Sequence, residues 1–211
     1  MDIINKKINI YVEEHSDLEP EVLKQLNRET HLKVLMSRML SGHFQGRVLS
    51  MLSKMIRPKN ILEIGTYTGY SAICLAEGLQ KGGSLTTIDI NAELENMAKG
   101  YFEKAGISEQ VNYIIGDATS ILPTLNAKYD LVFIDADKKN NATYYDIVFD
   151  KLNQGGYIIA DNVLWSGKVV DEKADKDTQL ILDFNAKVQN DSRVENVLLP
   201  IRDGLLVVRK K

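Results

Sequence analysis

Residues 134–141 read IDADKKNN, so Asp135, Asp137 and Lys138 fall within four positions as an apolar run ends, and GYIIADN places Asp161 and Asn162 at the end of another. Two carboxylates and an amide oxygen form an all-oxygen set, which hard cations such as Mg²⁺ or Ca²⁺ take; Mg²⁺ also keeps positions open for water or a substrate oxygen. The same side chains could do no more than cap the helices that follow, since Asp accepts from free helix N–H groups. A zinc site lacks partners. His15, His31 and His43 all lie in the N-terminal region, and the sole cysteine, Cys74, sits in SAICLAEGL on the apolar side of an expected helix, where it reads as a buried structural thiol.

A second group surrounds LEIGTYTGYS. Gly65 and Gly69 bracket a turn, with Thr66 where a pyrophosphate-binding G-x-G-x-x-G would need its second glycine. Asp89 follows Gly69 by 20 residues, a position from which an acid accepts from ribose hydroxyls. A nucleoside without a diphosphate fits this pattern better than NAD does, and S-adenosylmethionine (SAM) is such a ligand. Gly116-Asp117-Ala118 ends a third apolar run, so nearly every run closes on a carboxylate.

These residues must share one edge of something rigid. From Asn60 the runs NILEI, SLTTID, VNYII, YDLVFID and GYIIAD alternate with helix-length segments, which predicts a parallel α/β sheet with helices on both faces. In such sheets ligands bind at the carboxyl ends of the strands. VENVLLPIRDGLLVVRK predicts an antiparallel C-terminal strand pair around Arg202-Asp203-Gly204. Residues 1–58 form a helical N-terminal extension, with apolar residues at helical spacing from Val22 to Ile56, among them Val34, Leu35 and Met39, and a break at LSGHFQG. The 211 residues fit a single domain.

With 44% hydrophobic and 26% charged residues and no apolar run near the ~18 residues of a membrane span, a soluble protein is expected. MDIINKKINIYVEEHSD lacks the order of a secretory signal, and a lone cysteine suits a reducing, cytoplasmic setting. The net charge of −3 conceals a basic block: Lys24, Arg28, Lys33, Arg38, Arg47, Lys54, Arg57 and Lys59 stand against Glu29 alone. Such a block is a solvated helical face or a steering surface for a polyanion.

The blocks LEIGTYTGYS, TTID, GDA, FIDADK and ADNVLWSG, in this order and spacing, resemble the cation-dependent class I O-methyltransferases, similar to catechol and caffeoyl-coenzyme A O-methyltransferases and their bacterial relatives. The resemblance runs from about Ser37 to the C-terminus. It implies a Rossmann-like, doubly wound, seven-stranded sheet, a homodimer, SAM as methyl donor, and a divalent cation (Mg²⁺, with Ca²⁺ or Mn²⁺ as variants). Glu63, Gly65, Thr66 and Ser71 would contact the methionine and ribose part of SAM, Asp89 its ribose hydroxyls and Ala118 its adenine. Ser41 would cover the cofactor, and Asp137 would lie near its charged end. Asp135, Asp161 and Asn162 match metal ligands, Asp135 bordering the cofactor as well, and Lys138 matches a general base; Trp165, which follows the metal pair, is either a wall of the acceptor pocket or a packing residue. The N-terminal stretch and the loop Val163 to Thr178 depart from the plant coenzyme A ester enzymes, so substrate contacts do not carry over.

Three functions follow from the sequence. One is methylation of a vicinal (catechol-like) aromatic diol, a small-molecule acceptor. Another is methylation of a hydroxyl on a polyanion, either a coenzyme A ester or tRNA bearing hydroxyuridine. The third is non-catalytic nucleoside binding.

Overall fold

The five apolar runs become strands whose alternate residues serve two cores. The computed structural model describes residues 5–211, with β1 (Asn60–Ile64), β2 (Ser84–Asp89), β3 (Val111–Ile115), β4 (Tyr129–Ile134) and β5 (Leu152–Asp161) parallel. β6 (Val194–Leu199) and β7 (Leu205–Lys210) close the sheet as an antiparallel pair, in the order β3-β2-β1-β4-β5-β7-β6. Chain order reverses between β1 and β4, which opens a crevice at their carboxyl ends.

Period-two alternation explains the layering. Leu62, Ile64, Val132, Ile134, Ile158 and Ala160 pack on one face, with residues of α7 (Asn141–Lys151) and α8 (Lys176–Gln189). Ile61, Leu131, Phe133 and Ile159 pack on the other, against α2 (Glu21–Lys33), α3 (Gly42–Ile56), α4 (Tyr70–Ala76) and α5 (Glu95–Lys104). β1, β4 and β5 are buried on both faces, which explains their nearly continuous apolar runs. α1 (Lys6–Glu14) and the short α6 (Ala118–Ile121) complete the helices, and among the described residues no helix is long and apolar enough to cross a membrane.

The N-terminal helices depart from the expected boundaries. The break falls at residues 34–41, not at LSGHFQG, and α3 begins within that motif. Val34 is extended, and Leu35 and Met39, read as one helical face, are exposed. Tertiary bonds override periodicity here: the Leu35 carbonyl accepts from Tyr67 Oη at 3.3 Å, and the Leu40 carbonyl from Arg202 Nη1 at 2.9 Å. The motif's second glycine, Gly46, belongs to the helix for a packing reason. A Cβ on Gly46 would stand 2.6 Å from the Tyr70 ring and 2.9 Å from Cys74 Sγ. Close approach of α3 to α4 thus requires hydrogen at that position.

Gly78 serves the same contact just beyond α4, where a Cβ would collide with the Ser53 backbone. Gly78→Ala should therefore lose about 2 kcal/mol or more in urea unfolding, since backbone cannot yield as a side chain does. Between these helices Glu77 accepts from Arg47 at 2.7 Å, Lys54 at 2.8 Å and Ser50 at 2.7 Å. Two cations of the basic block are thus spent on internal pairing. Cys74 is fully buried, and burial pushes its thiol up to about 12, so it is the structural residue expected.

Candidate active site

The strand ends converge on one cleft of about 1410 Å³. Ser41, Gly65, Thr66, Ser71, Asp89, Ala118, Asp135, Asp137, Lys138, Asp161 and Asn162 all line it, as does Trp165. Glu63 does not.

Its first half is built around the turn after β1. Gly65 takes φ +102, and a Cβ there would run into the Asp135 carbonyl, so β1 and β4 touch where their loops begin. The bare backbone expected for pyrophosphate serves here to admit a neighbouring strand. Gly65→Ala should weaken SAM binding and turnover together by more than tenfold, because the added methyl moves Thr66 and Asp135 at once; calorimetry and a methyl-transfer assay would read this. Asp89 Oδ2 accepts from Tyr67 N–H at 2.6 Å and Oδ1 from Asn91 N–H at 2.8 Å, which fixes the carboxylate at the cleft wall with lone pairs to spare. Asp117 caps α6 through Thr119 N–H at 2.8 Å.

Glu63 lies beneath this floor, fully buried. Ser71 Oγ donates to its Oε1 at 2.6 Å and Thr87 Oγ1 to its Oε2 at 2.5 Å. Thr66 and Thr87 share a hydrogen bond between their hydroxyls at 2.5 Å. The carboxylate thus reaches the cleft only through the hydroxyls of Ser71 and Thr66. Burial pushes Glu63 up to about 8 despite those donors, with the charges of Asp135 and Asp89 adding to the rise. Since folding raises this pKa, the native state holds a proton that the unfolded chain has released, and stability falls as pH climbs from about 5 towards 8. Glu63→Gln should flatten that fall; parallel slopes in urea titrations of both proteins would refute it.

The second half gathers oxygens. Asp161, at the end of β5, is 3% exposed; its Oδ1 accepts from Asn162 N–H at 2.6 Å and its Oδ2 from Gln45 Nε2 at 2.5 Å. Burial first, and the charge of Asp135 second, push its carboxyl up to about 7. Lys138 Nζ stands 3.0 Å from Asp135 Oδ1, both side chains mostly buried. Ile134 of β4 pairs with Ala160 of β5, so the two carboxylates follow on neighbouring strand ends at the cleft, with the Lys138 ammonium beside one of them. A divalent cation suits this donor set, since it would remove a repulsion that burial magnifies, and Asn162 brings a third oxygen to the cleft. Asn162 turns at φ 61, and Trp165 and Ser166 follow at φ 47 and 57. Among the described residues no group of three or more His, Cys, Asp and Glu is placed to hold a metal, and His43 spends its ring on the Asp17 carbonyl at 2.7 Å.

Gln45 was not visible in the sequence as a site residue. It sits on α3, 1% exposed, and reaches Asp161 from 116 positions away. The buried face of α3 also carries Gly46, Leu49, Ser50 and Ser53, so a polar residue there gave no distinguishing signal. Asp137 accepts from Tyr144 Oη at 2.5 Å and Asn140 Nδ2 at 2.7 Å, so Asn140 orients a carboxylate as well as starting a helix. Of the basic block, Lys33 and Arg38 line the cleft.

A model of an O-methyltransferase family matches residues 13–211. Caffeoyl-CoA O-methyltransferase 2 of Eucalyptus globulus is 36% identical over 91% of this chain and 83% of its own length. A SAH-bound methyltransferase of Podospora anserina superposes with a TM-score of 0.90 at 27% identity, covering 100% of this chain and 98% of its own. A Streptomyces achromogenes O-methyltransferase of tomaymycin synthesis, in complex with SAM, gives 0.87 at 27% identity, with 97% and 96% covered.

Proposed function

Because this chain belongs to the O-methyltransferase family and is a SAM-dependent O-methyltransferase, we propose that it methylates one hydroxyl of a vicinal aromatic diol at a divalent-cation site made by Asp135, Asp161 and Asn162. The observation that carries this reading is the pair of neighbouring, half- and fully buried carboxylates at the ends of β4 and β5. When bound, the cation, Mg²⁺ or a relative of it, would chelate both hydroxyls and acidify the attacking one.

The chain's own residues do the rest. Asp89 accepts from the ribose hydroxyls of SAM, Thr66 and Ser71 meet its methionine end, Ala118 borders the adenine and Ser41 covers the donor. Lys138 Nζ, acting as the free amine after giving up its ammonium proton to solvent, accepts the phenolic proton as the oxygen–carbon bond forms and the sulfur–carbon bond breaks, its electron pair staying on sulfur. Trp165 walls the acceptor. Labelled SAM with catechol against phenol tests the diol: equal rates on both would sink it. The same reading has the protein cytoplasmic and homodimeric, the latter checked by light scattering.

A second acceptor class, a polyanion carrying the hydroxyl, is favoured by Lys33, Arg38, Lys139 and Lys168 around the cleft. Caffeoyl-CoA esters and tRNA bearing hydroxyuridine are its two forms. Binding of bulk tRNA that falls steeply with salt would support the second form, since phosphate contacts release counterions.

A further inference from the structure

The segment between α2 and α3 lies along the cleft with little packing of its own. Leu35 is 90% exposed, and Met36 and Met39 are more than half exposed. Besides Leu40, which is 4% exposed and packed in the core, what holds it is a set of side chains reaching backbone carbonyls from loops at the strand ends. Tyr67 reaches Leu35; Arg202 Nη1 reaches both Leu40 and Ser41. Arg202 makes no ion pair among the described residues, so its charge is met at these carbonyls. It sits at φ 49, a left-handed conformation that a non-glycine residue keeps only where surrounding contacts dictate it.

The residue after it grips the opposite wall. Asp203 Oδ1 accepts from Ser166 N–H at 2.5 Å, and its carbonyl accepts from Leu164 N–H at 2.8 Å. The Gly204 carbonyl accepts from Val163 N–H at 3.3 Å, and a Cβ on Gly204 would lie 2.6 Å from Leu164 Cγ. One turn thus holds the segment carrying Ser41 with one residue and the loop following Asn162 with the next.

We infer that Arg202 is a positioning residue, the clasp that fastens the 34–41 segment over the bound methyl donor, while Asp203 fixes the acceptor-side loop to the same turn. The inference rests on the cleft being the SAM site. Removing the guanidinium frees the cover, Ser41 with it, and leaves the donor contacts at the strand ends in place, so the loss falls on donor affinity more than on the chemical step.

The experiment compares wild type, Arg202→Ala and Arg202→Lys by calorimetry with SAM, steady-state kinetics, and hydrogen exchange at residues 34–41. Arg202→Ala should raise the Kd and KM for SAM about tenfold, as loss of a charge-assisted bond does, with kcat changed less than threefold. Exchange in the segment should quicken. Arg202→Lys, which keeps the charge at shorter reach, should recover some of the affinity, and added guanidinium should restore binding in Arg202→Ala. Unchanged SAM affinity and exchange in a folded Arg202→Ala would overturn the clasp, as would a fall in kcat with KM unmoved. If Arg202→Ala does not fold, Arg202→Lys decides by the same two readouts. Wild type failing to bind SAM would instead overturn the placement of the donor, and segment exchange would still test the clasp.

Discussion

Asp161→Ala is expected to lose at least about a hundredfold in turnover on a catechol, the scale on which metal-site changes act, and excess chelator should do the same to wild type. Asp161 is the more deeply buried of the two carboxylates and has both oxygens oriented, one by its neighbour's N–H and one by Gln45. SAM affinity, carried by the other half of the cleft, should stay within a few-fold of wild type. Full activity in chelator would remove the cation from the mechanism, and a matching loss of SAM affinity would mean that the site had collapsed. Gln45→Leu should give a milder form of the same defect, with cation affinity lower by about 10-fold, because it leaves a buried carboxylate oxygen without its donor.

Lys138→Met should reduce kcat by about 10²- to 10⁴-fold, the usual contribution of a positioned base. The geometry separates two roles for this side chain. If Lys138 only balances charge beside Asp135, 3.0 Å away, then Lys138→Arg preserves activity. If it takes the proton, arginine fails as methionine does, since a guanidinium stays protonated. Active Lys138→Arg would therefore dismiss the base.

Much of this site could be read from residue order. Alternating apolar runs located all five parallel strands, and a ligand edge follows from parallel topology, so Asp89, Asp135, Asp161 and Asn162 were found from their positions at strand ends. Glu63 shows where such reading stops. It too lies near a strand's end, one residue before Ile64, yet its side chain is buried beneath the floor, and whether an acid so placed faces a cleft or underlies it depends on tertiary packing that composition at a strand end does not report. The N-terminal segment was misread for a related cause: Val34, Leu35 and Met39 have helical spacing, but Tyr67 and Arg202 capture the intervening carbonyls from far along the chain. Gln45 and Arg202 act through contacts separated by more than a hundred residues, which local pattern cannot report.

The backbone grip of the β6–β7 turn on Val163, Leu164 and Ser166 has a consequence for change in this enzyme. The acceptor-side loop is held at its root by main-chain bonds that do not depend on which side chains it carries, apart from the glycine and aspartate of the turn itself. Residues 169–174 beyond that root, short of Asp175 that caps α8, can change without disturbing the donor half. Libraries confined to that stretch should therefore yield altered acceptor range with folding intact, whereas the same diversity spread over residues 63–71 should yield mostly inactive protein.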